Sequence, residues 1–374
     1  MSWRSLLIVC ALSAGLAGCG AGSSHSRSTS AGAGAGATGR ERRAGSSPTD
    51  AAEAFLATYA NPDGRVVRID QGGDTVSEGQ AYGMLIAAAI GDRKRFTEIW
   101  NWTRTHLQDR SGLFAFHWQN GHVVDAQPAT DADLDIARAL LVGACRFGDP
   151  SLRTEAVRVG RAILAHEVAR AGSLQVLIAG PWANHGANLV FNPSYVDPTT
   201  LNALAKASGD RRFSTVAADG TQLVNELTRP LPPDWAIVDT KTGQPAPVSG
   251  ASSTNGPGMF TYDAPRTLVR FAEAPVASQT AAVARAWSVF SATPAADIVT
   301  EHQLSGQPAG SDKNPVTLAG VAGAAKAAGA SSAVGGLLNE AQTWNAQHPT
   351  YYGSAWVALG RLLLTTNLLQ PCSG

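Results

Sequence analysis

The sequence predicts an all-α fold built from two layers of helices. Three observations carry that expectation. Some segments are amphipathic at helical period: in "RFTEIWNWTRTHL", Phe96, Ile99, Trp100, Thr103 and Leu107 fall on one face. Others are apolar nearly all round, as in "AYGMLIAAAI", "LDIARALLVGAC" and "SAWVALGRLLLTT", which is the signature of helices buried on most sides. Runs of period-2 alternation, which would mark strands, are scarce.

The helical part does not begin at residue 1. "MSWR" is a short positive start, and "SLLIVCALSAGLAG" is an apolar core too short to span a membrane comfortably. Together, residues 1–18 read as a signal peptide. Leu16-Ala17-Gly18-Cys19 resembles the lipobox of bacterial lipoproteins, which implies cleavage before Cys19 and lipid on its sulfur. Residues 19–48 are rich in Gly, Ala and Ser, with a basic "RERR" cluster. They read as a flexible tether with a reach on the order of 30 Å. Residues 49–374 then form one domain.

Within that domain, "SLRTEAVRVGRAILAHEVARA" continues the amphipathic pattern with Val157, Ile163, Leu164 and Val168. Buried and half-buried helices alternate along the chain, with Gly/Pro/Asn-rich loops between them. A ring of inner helices inside outer ones would give that alternation. A solenoid would give it too, although no fixed repeat length is visible. Cys145 sits in an apolar helical run and reads as a small core residue, with a disulfide to Cys372 as the alternative. No Cys/His spacing predicts a metal, and no cofactor motif is present. Acids and bases number 29 each, so no basic field exists to attract nucleic acid.

A few acids stand where a loop meets an apolar helix: Glu78, the pair Asp131 and Asp133, and Asp263. Capping explains such acids individually, because a helix start offers free N–H groups and a positive dipole end. Thr130 or Asp131, and Asp263, suit that role. Ser77 is the better cap for its helix, which leaves Glu78 without a capping duty. Two residues along a helix is about 200° of rotation, so Asp131 and Asp133 cannot both face one cavity. Asp131 is favoured for the site. Trp118, Trp182, Tyr195, Trp235, Tyr262, Tyr351 and Tyr352 lie near these acids. Carboxylates and flat rings in one groove point to carbohydrate chemistry.

These residues resemble glycoside hydrolase family 8. "TVSEGQAYGML", "ATDADLDIARALLVGACRF", "FNPSYVDP", "LPPDW", "YDAPR" and "YYGSAW" match family blocks in order, across roughly residues 52–366. The endoglucanases associated with bacterial cellulose synthesis look most similar. The resemblance implies an (α/α)6 barrel and an inverting, cofactor-free hydrolysis of a β-1,4-linked polysaccharide. It implies Glu78 as general acid, Asp263 as general base and Asp131 as the sugar-binding acid at the cleavage point. Tyr195 matches a tyrosine near the attacking water, Arg266 an arginine beside the base, and Trp118 a stacking platform. Either Tyr351 or Tyr352 matches a site tyrosine. Trp182 is a further substrate-binding candidate.

The physics of those assignments is specific. The apolar flank from Tyr82 to Ile90 should desolvate Glu78 and hold its proton. Arg266, three residues after Asp263, should favour the ionised base. Pro265 and Pro128 depart from the family pattern, and Pro265 is expected to displace Arg266. The expected protein is a monomeric, lipid-anchored or secreted endo-β-1,4-glucanase. Chitosanase or xylanase activity is the alternative, with Asp197 and Asp234 as candidate acids for amino sugars. A non-catalytic glucan-binding protein would lack Glu78 or Asp263, and both are present. A polysaccharide lyase would need a different catalytic set.

Overall fold

The computed structural model describes residues 47–274 and 276–371. The leader, Cys19, nearly all of the tether and Cys372 lie outside the described residues.

The chain enters the fold through α1 (Pro48–Tyr59). Ser47 closes a capping box with Asp50, and Pro48 starts the first turn. Next come α2 (Ser77–Ile90), α3 (Arg93–His106), α4 (Thr130–Phe147) and α5 (Pro150–His166). α6 (Pro198–Ser208), α7 (Arg212–Leu227) and α8 (Ala264–Ala272) follow. The last are α9 (Ala277–Ala284), α10 (Trp287–Phe290), α11 (Pro315–Ala327), α12 (Ser331–Gln347) and α13 (Tyr351–Thr365).

Helices α2, α4, α6, α8, α11 and α13 each touch the next, and α13 returns to α2, closing an inner ring. Helices α1, α3, α5, α7, α9 and α12 pack outside it. The arrangement is an (α/α)6 barrel, so the ring, not the solenoid, is the two-layer solution. The periodicities follow from it. α2 buries twelve of its fourteen residues, whereas α3 buries only Phe96, Ile99, Trp100, Trp102 and Thr103. An outer helix keeps a wet face; an inner one has neighbours all round. Gly91 and Gly148, at φ 78° and 63°, end α2 and α4 in left-handed geometry that a side chain would strain.

The loops carry short strands that the sequence reading did not anticipate. β1 (Thr75–Val76), β2 (Ala115–Gln119) and β3 (His122–Pro128) form one antiparallel sheet. β4 (Val168–Ala171) pairs with β5 (Leu174–Leu177). β6 (Asn188–Phe191), β7 (Trp235–Asp239) and β8 (Pro245–Val248) form another sheet, and β9 (Met259–Phe260) pairs with β10 (His302–Gln303). At two to seven residues each, they are too brief for alternation to stand out.

Two sequence expectations change here. α5 stops at His166, and Val168 begins β4. The buried face of α5 is Leu152, Ala156, Val159, Gly160, Ala162 and Ile163, while Val157 and Leu164 are only half-buried. Cys145 is exposed and disulfide-bonded, not a core residue.

Beneath the cleft, the fully buried Arg138 of α4 binds Glu273 at 2.6 and 2.7 Å and Asp197 at 3.0 Å. Its guanidinium also donates to the Leu369 carbonyl. Arg270 binds Asp135 at 2.5 Å. Buried charges are tolerated only when paired and hydrogen-bonded. This network ties α4, the start of α6, the end of α8 and the C-terminal segment together.

Candidate active site

Four helix starts converge at one end of the barrel. Glu78 sits in the first turn of α2, Asp131 in that of α4, Asp263 just before α8, and Tyr351 and Tyr352 open α13. Helix starts are natural places for anions, because their free N–H groups point outward.

Arg266 gathers the acids. Its Nη1 lies 3.2 Å from Glu78 Oε2 and 2.8 Å from Asp131 Oδ2, and its Nη2 lies 2.7 Å from Asp263 Oδ1. The guanidinium is 4% exposed, against 21% for Glu78 and 29% for Asp263. One buried cation therefore serves three carboxyls whose outer faces reach the cleft. Because both oxygens touch one guanidinium, Glu78 and Asp263 stand at most about 8 Å apart at that side, within the upper limit for an inverting pair. Tyr82 Oη is 3.4 Å from the same Nη1, and the Tyr195 ring lies 5.5 Å from the guanidinium carbon. Asn192 donates to Asp263 Oδ2 at 3.3 Å.

Three carboxyls around one cation repel each other, so a proton is retained. Burial pushes Glu78 up to about 7, and Asp131 and Asp263 add to that push, against Arg266 and Arg68. Burial also raises Asp263, with Asp131 adding to it and Arg266 and Asn192 opposing. Arg68 is itself fixed by Asp74, which Nη2 meets at 2.5 Å and His117 Nε2 at 2.8 Å.

The capping expectations are corrected. Ser77 is the first helical residue of α2, not its cap, and its buried hydroxyl finds no hydrogen-bond partner among the described residues. Neither Thr130 nor Asp131 occupies the N-cap of α4; Ala129 does. Thr130 Oγ1 donates instead to the Ile178 carbonyl at 2.6 Å. Asp263 occupies the N-cap position of α8 but makes no capping bond.

Asp133 points away from the site, as the helical rotation requires. It accepts the Phe114 N–H at 2.9 Å, and burial together with Glu167 holds its carboxyl well above the usual range. Burial pushes Glu167 up to about 8.

Pro265 does not displace Arg266. It lies in the first turn of α8, where a missing N–H costs nothing. Pro128 ends β3, and its carbonyl accepts Trp182 Nε1–H at 2.9 Å, which fixes that ring beside the Asp131 loop. Tyr352 donates to the Tyr262 carbonyl at 2.9 Å. Tyr351 is buried against Phe55 and Tyr59, its hydroxyl directly over Gly79, where a Cβ would come within 2.7 Å.

The Trp118 ring meets Trp102 at 5.3 Å and His106 at 6.3 Å, with the Arg65 guanidinium carbon 5.0 Å over it. It is opposite Thr75 in the β1–β2 pair, one residue from His117, where the pairing of β2 with β3 is irregular.

Sequence reasoning missed Asn192, the contact of Tyr82 with Arg266, the hold of Asp234 on the backbone around Asp263 and the threefold reach of Arg266. Asn192 and Asp234 stand inside "FNPSY" and "LPPDW", so the motifs flagged the segments without showing which polar atom turns inward.

The family model for glycosyl hydrolases family 8 matches residues 41–365. A probable endoglucanase of Novacetimonas hansenii is 38% identical over 226 residues, 58% of this chain and 64% of that protein. An endoglucanase of Cellulomonas uda is 31% identical over 198 residues, 50% of this chain and 55% of that protein. The aligned parts thus span less than two thirds of either relative. The solved endo-beta-1,4-glucanase of Acetobacter xylinum superposes with a TM-score of 0.72 at 31% identity, covering 85% of this chain and 99% of that one. With this fold and these ordered acids, the chain belongs to glycosyl hydrolase family 8.

Proposed function

We propose that this protein is an inverting endo-β-1,4-glucanase. The observation that carries the reading is the sharing of one guanidinium by Glu78, Asp131 and Asp263, with Glu78 raised to about 7. Inversion requires one carboxyl that holds a proton and one that accepts it, on opposite sides of the sugar. Glu78 gives its proton to the glycosidic oxygen as the bond from C1 breaks, and that oxygen keeps the bonding electrons. Asp263 takes a proton from the water that attacks C1 from the other face. The new reducing end is the α-anomer, and Asp131 holds the distorted sugar between the two. Trp182, Tyr195 and Tyr352 wall the cleft, and the buried Tyr351 backs the start of α2 behind them.

A neutral glucan suits the charge distribution better than chitosan. Both acids that could have met amino sugars are engaged internally. Asp197 is 2% exposed and caps α6 while binding Arg138. Asp234 accepts four hydrogen bonds from the loop before α8.

The test is reducing-sugar release from soluble cellulose, xylan and chitosan, with NMR of the first product formed. Cellulose cleavage giving the α-anomer is expected. Cleavage of xylan or chitosan alone would move the substrate assignment, and a β-anomer would overturn inversion.

Export on a lipid anchor at Cys19 belongs to the same proposal. A cell making the protein should incorporate labelled fatty acid into it, and Cys19→Ser should abolish the label.

A further inference from the structure

Asp263 stands at the start of α8 yet leaves that helix start uncapped by its own side chain. An aspartate in that position ordinarily turns its carboxylate onto the N–H of the second or third helical residue. Here the N–H groups around Asp263, its own among them, go to a residue 29 positions earlier. Asp234 Oδ1 accepts the N–H groups of Thr261 at 3.1 Å, Asp263 at 3.1 Å and Ala264 at 2.7 Å, and its Oδ2 accepts the Thr261 hydroxyl at 2.5 Å. Pro265 has no N–H to offer, and the Arg266 N–H is satisfied by the Asp263 carbonyl at 3.0 Å. The helix start therefore asks nothing of the Asp263 carboxylate. That carboxylate is free to meet Arg266 at 2.7 Å and Asn192 at 3.3 Å.

Asp234 is well placed for this duty. It is 8% exposed, and its own N–H is pinned to the Met259 carbonyl at 2.7 Å. It sits between Pro232–Pro233 and β7, on a segment with little freedom to move.

We propose that Asp234 is a positioning residue for the base: by holding the backbone N–H groups of Thr261, Asp263 and Ala264, it fixes the turn that aims the Asp263 carboxylate into the cleft. The inference rests on the reading of Asp263 as general base. It adds a residue that touches no substrate.

The test compares Asp234→Ala and Asp234→Asn in the full chain. Alanine removes the acceptor and frees the backbone from Thr261 to Ala264, so the Asp263 carboxylate should lose its fixed direction. kcat on soluble cellulose should then fall about 100-fold, with KM changed less than about threefold, because misplacing a reacting group by an ångström costs about that much. Asparagine keeps Oδ1 as acceptor for the three N–H groups and should retain kcat within about tenfold. A merely structural role predicts losses in both variants that track the fraction unfolded. Crystal structures of both variants supply a readout independent of activity. In Asp234→Ala the contact between Asp263 and Arg266 should be lost, and in Asp234→Asn it should remain. If Asp263 keeps its contact with Arg266 in Asp234→Ala, the inference is overturned. If the wild-type protein cleaves no β-1,4-glycan, the functional reading falls, and the side-chain direction of Asp263 still decides the positioning.

Discussion

The guanidinium of Arg266 lies 3.2 Å from the Glu78 carboxyl, although the two are 188 positions apart in the chain. The contact sets the character of Glu78. Burial alone would hold the proton too firmly, and Arg266 tempers it by favouring the anion. An acid poised near neutrality results, one able to give its proton and recover it.

Glu78 titrating near 7 fixes the alkaline side of the pH profile. An acid catalyst works only while protonated, so kcat/KM should decline as pH rises through about 7. Glu78→Gln should lower kcat about a thousandfold and remove that decline. Initial rates on soluble cellulose from pH 4 to 9 check both, and a Glu78→Gln variant with most of its activity would remove Glu78 from its role.

Arg266→Lys should separate charge from geometry. Lysine keeps the cation but cannot reach three carboxyls with a planar fork. kcat/KM is expected to fall about 100-fold. Arg266 lowers the pKa of Glu78 and of Asp263. Weakening that contact raises both, so the whole profile should shift to higher pH. A profile that loses height without shifting would show that the guanidinium does not tune the acids.

Gly320→Ala tests how α8 is held. A Cβ on Gly320 would come within 2.7 Å of the Pro265 carbonyl and 2.8 Å of its Cα. Backbone atoms cannot yield as a flexible side chain does. A loss of about 1–3 kcal/mol is expected, read as a lower urea midpoint, with reduced kcat because Asp263 and Arg266 flank that contact. Unchanged stability and kcat would show that α8 can slide.

The buried Asp133–Glu167 pair should limit stability at high pH. Both carboxyls are raised in the folded state by burial first, Glu167 to about 8. An unfolded carboxyl titrates at about 4. The stability their protons support is therefore complete below about pH 4 and is lost as pH rises through about 8. The wild-type urea midpoint should drop between pH 6 and 9, and Glu167→Gln should flatten that drop. A parallel drop in the variant would assign it elsewhere.

The two-layer helical fold was legible because burial leaves a local trace. α2 and α13 are apolar nearly all round, and α3 has one apolar face; both follow from the neighbours that each layer provides. Choosing Asp131 over Asp133 was also local, since helical rotation separates them. The strands were not legible, because pairs such as Thr75–Val76 with His117–Trp118 gain their structure from a partner some 40 positions away. Trp118 shows the same limit. It was picked out as a stacking platform, but the face it takes depends on pairing with β1, which sets it beside Trp102 and Arg65.

By itself, the sequence determined where helices run, which acids stand at their starts and which family's motifs they carry. Those are properties of neighbours in the chain: period, cap and spacing. Tertiary structure alone decided what holds Asp263. It looks like a cap in "YDAPR", yet its carboxylate makes no capping bond, and Asp234 arrives from another loop to accept its N–H. It likewise decided that one arginine would serve Glu78, Asp131 and Asp263 together. Such choices depend on distance and desolvation, which arise only when segments far apart in the chain pack against each other.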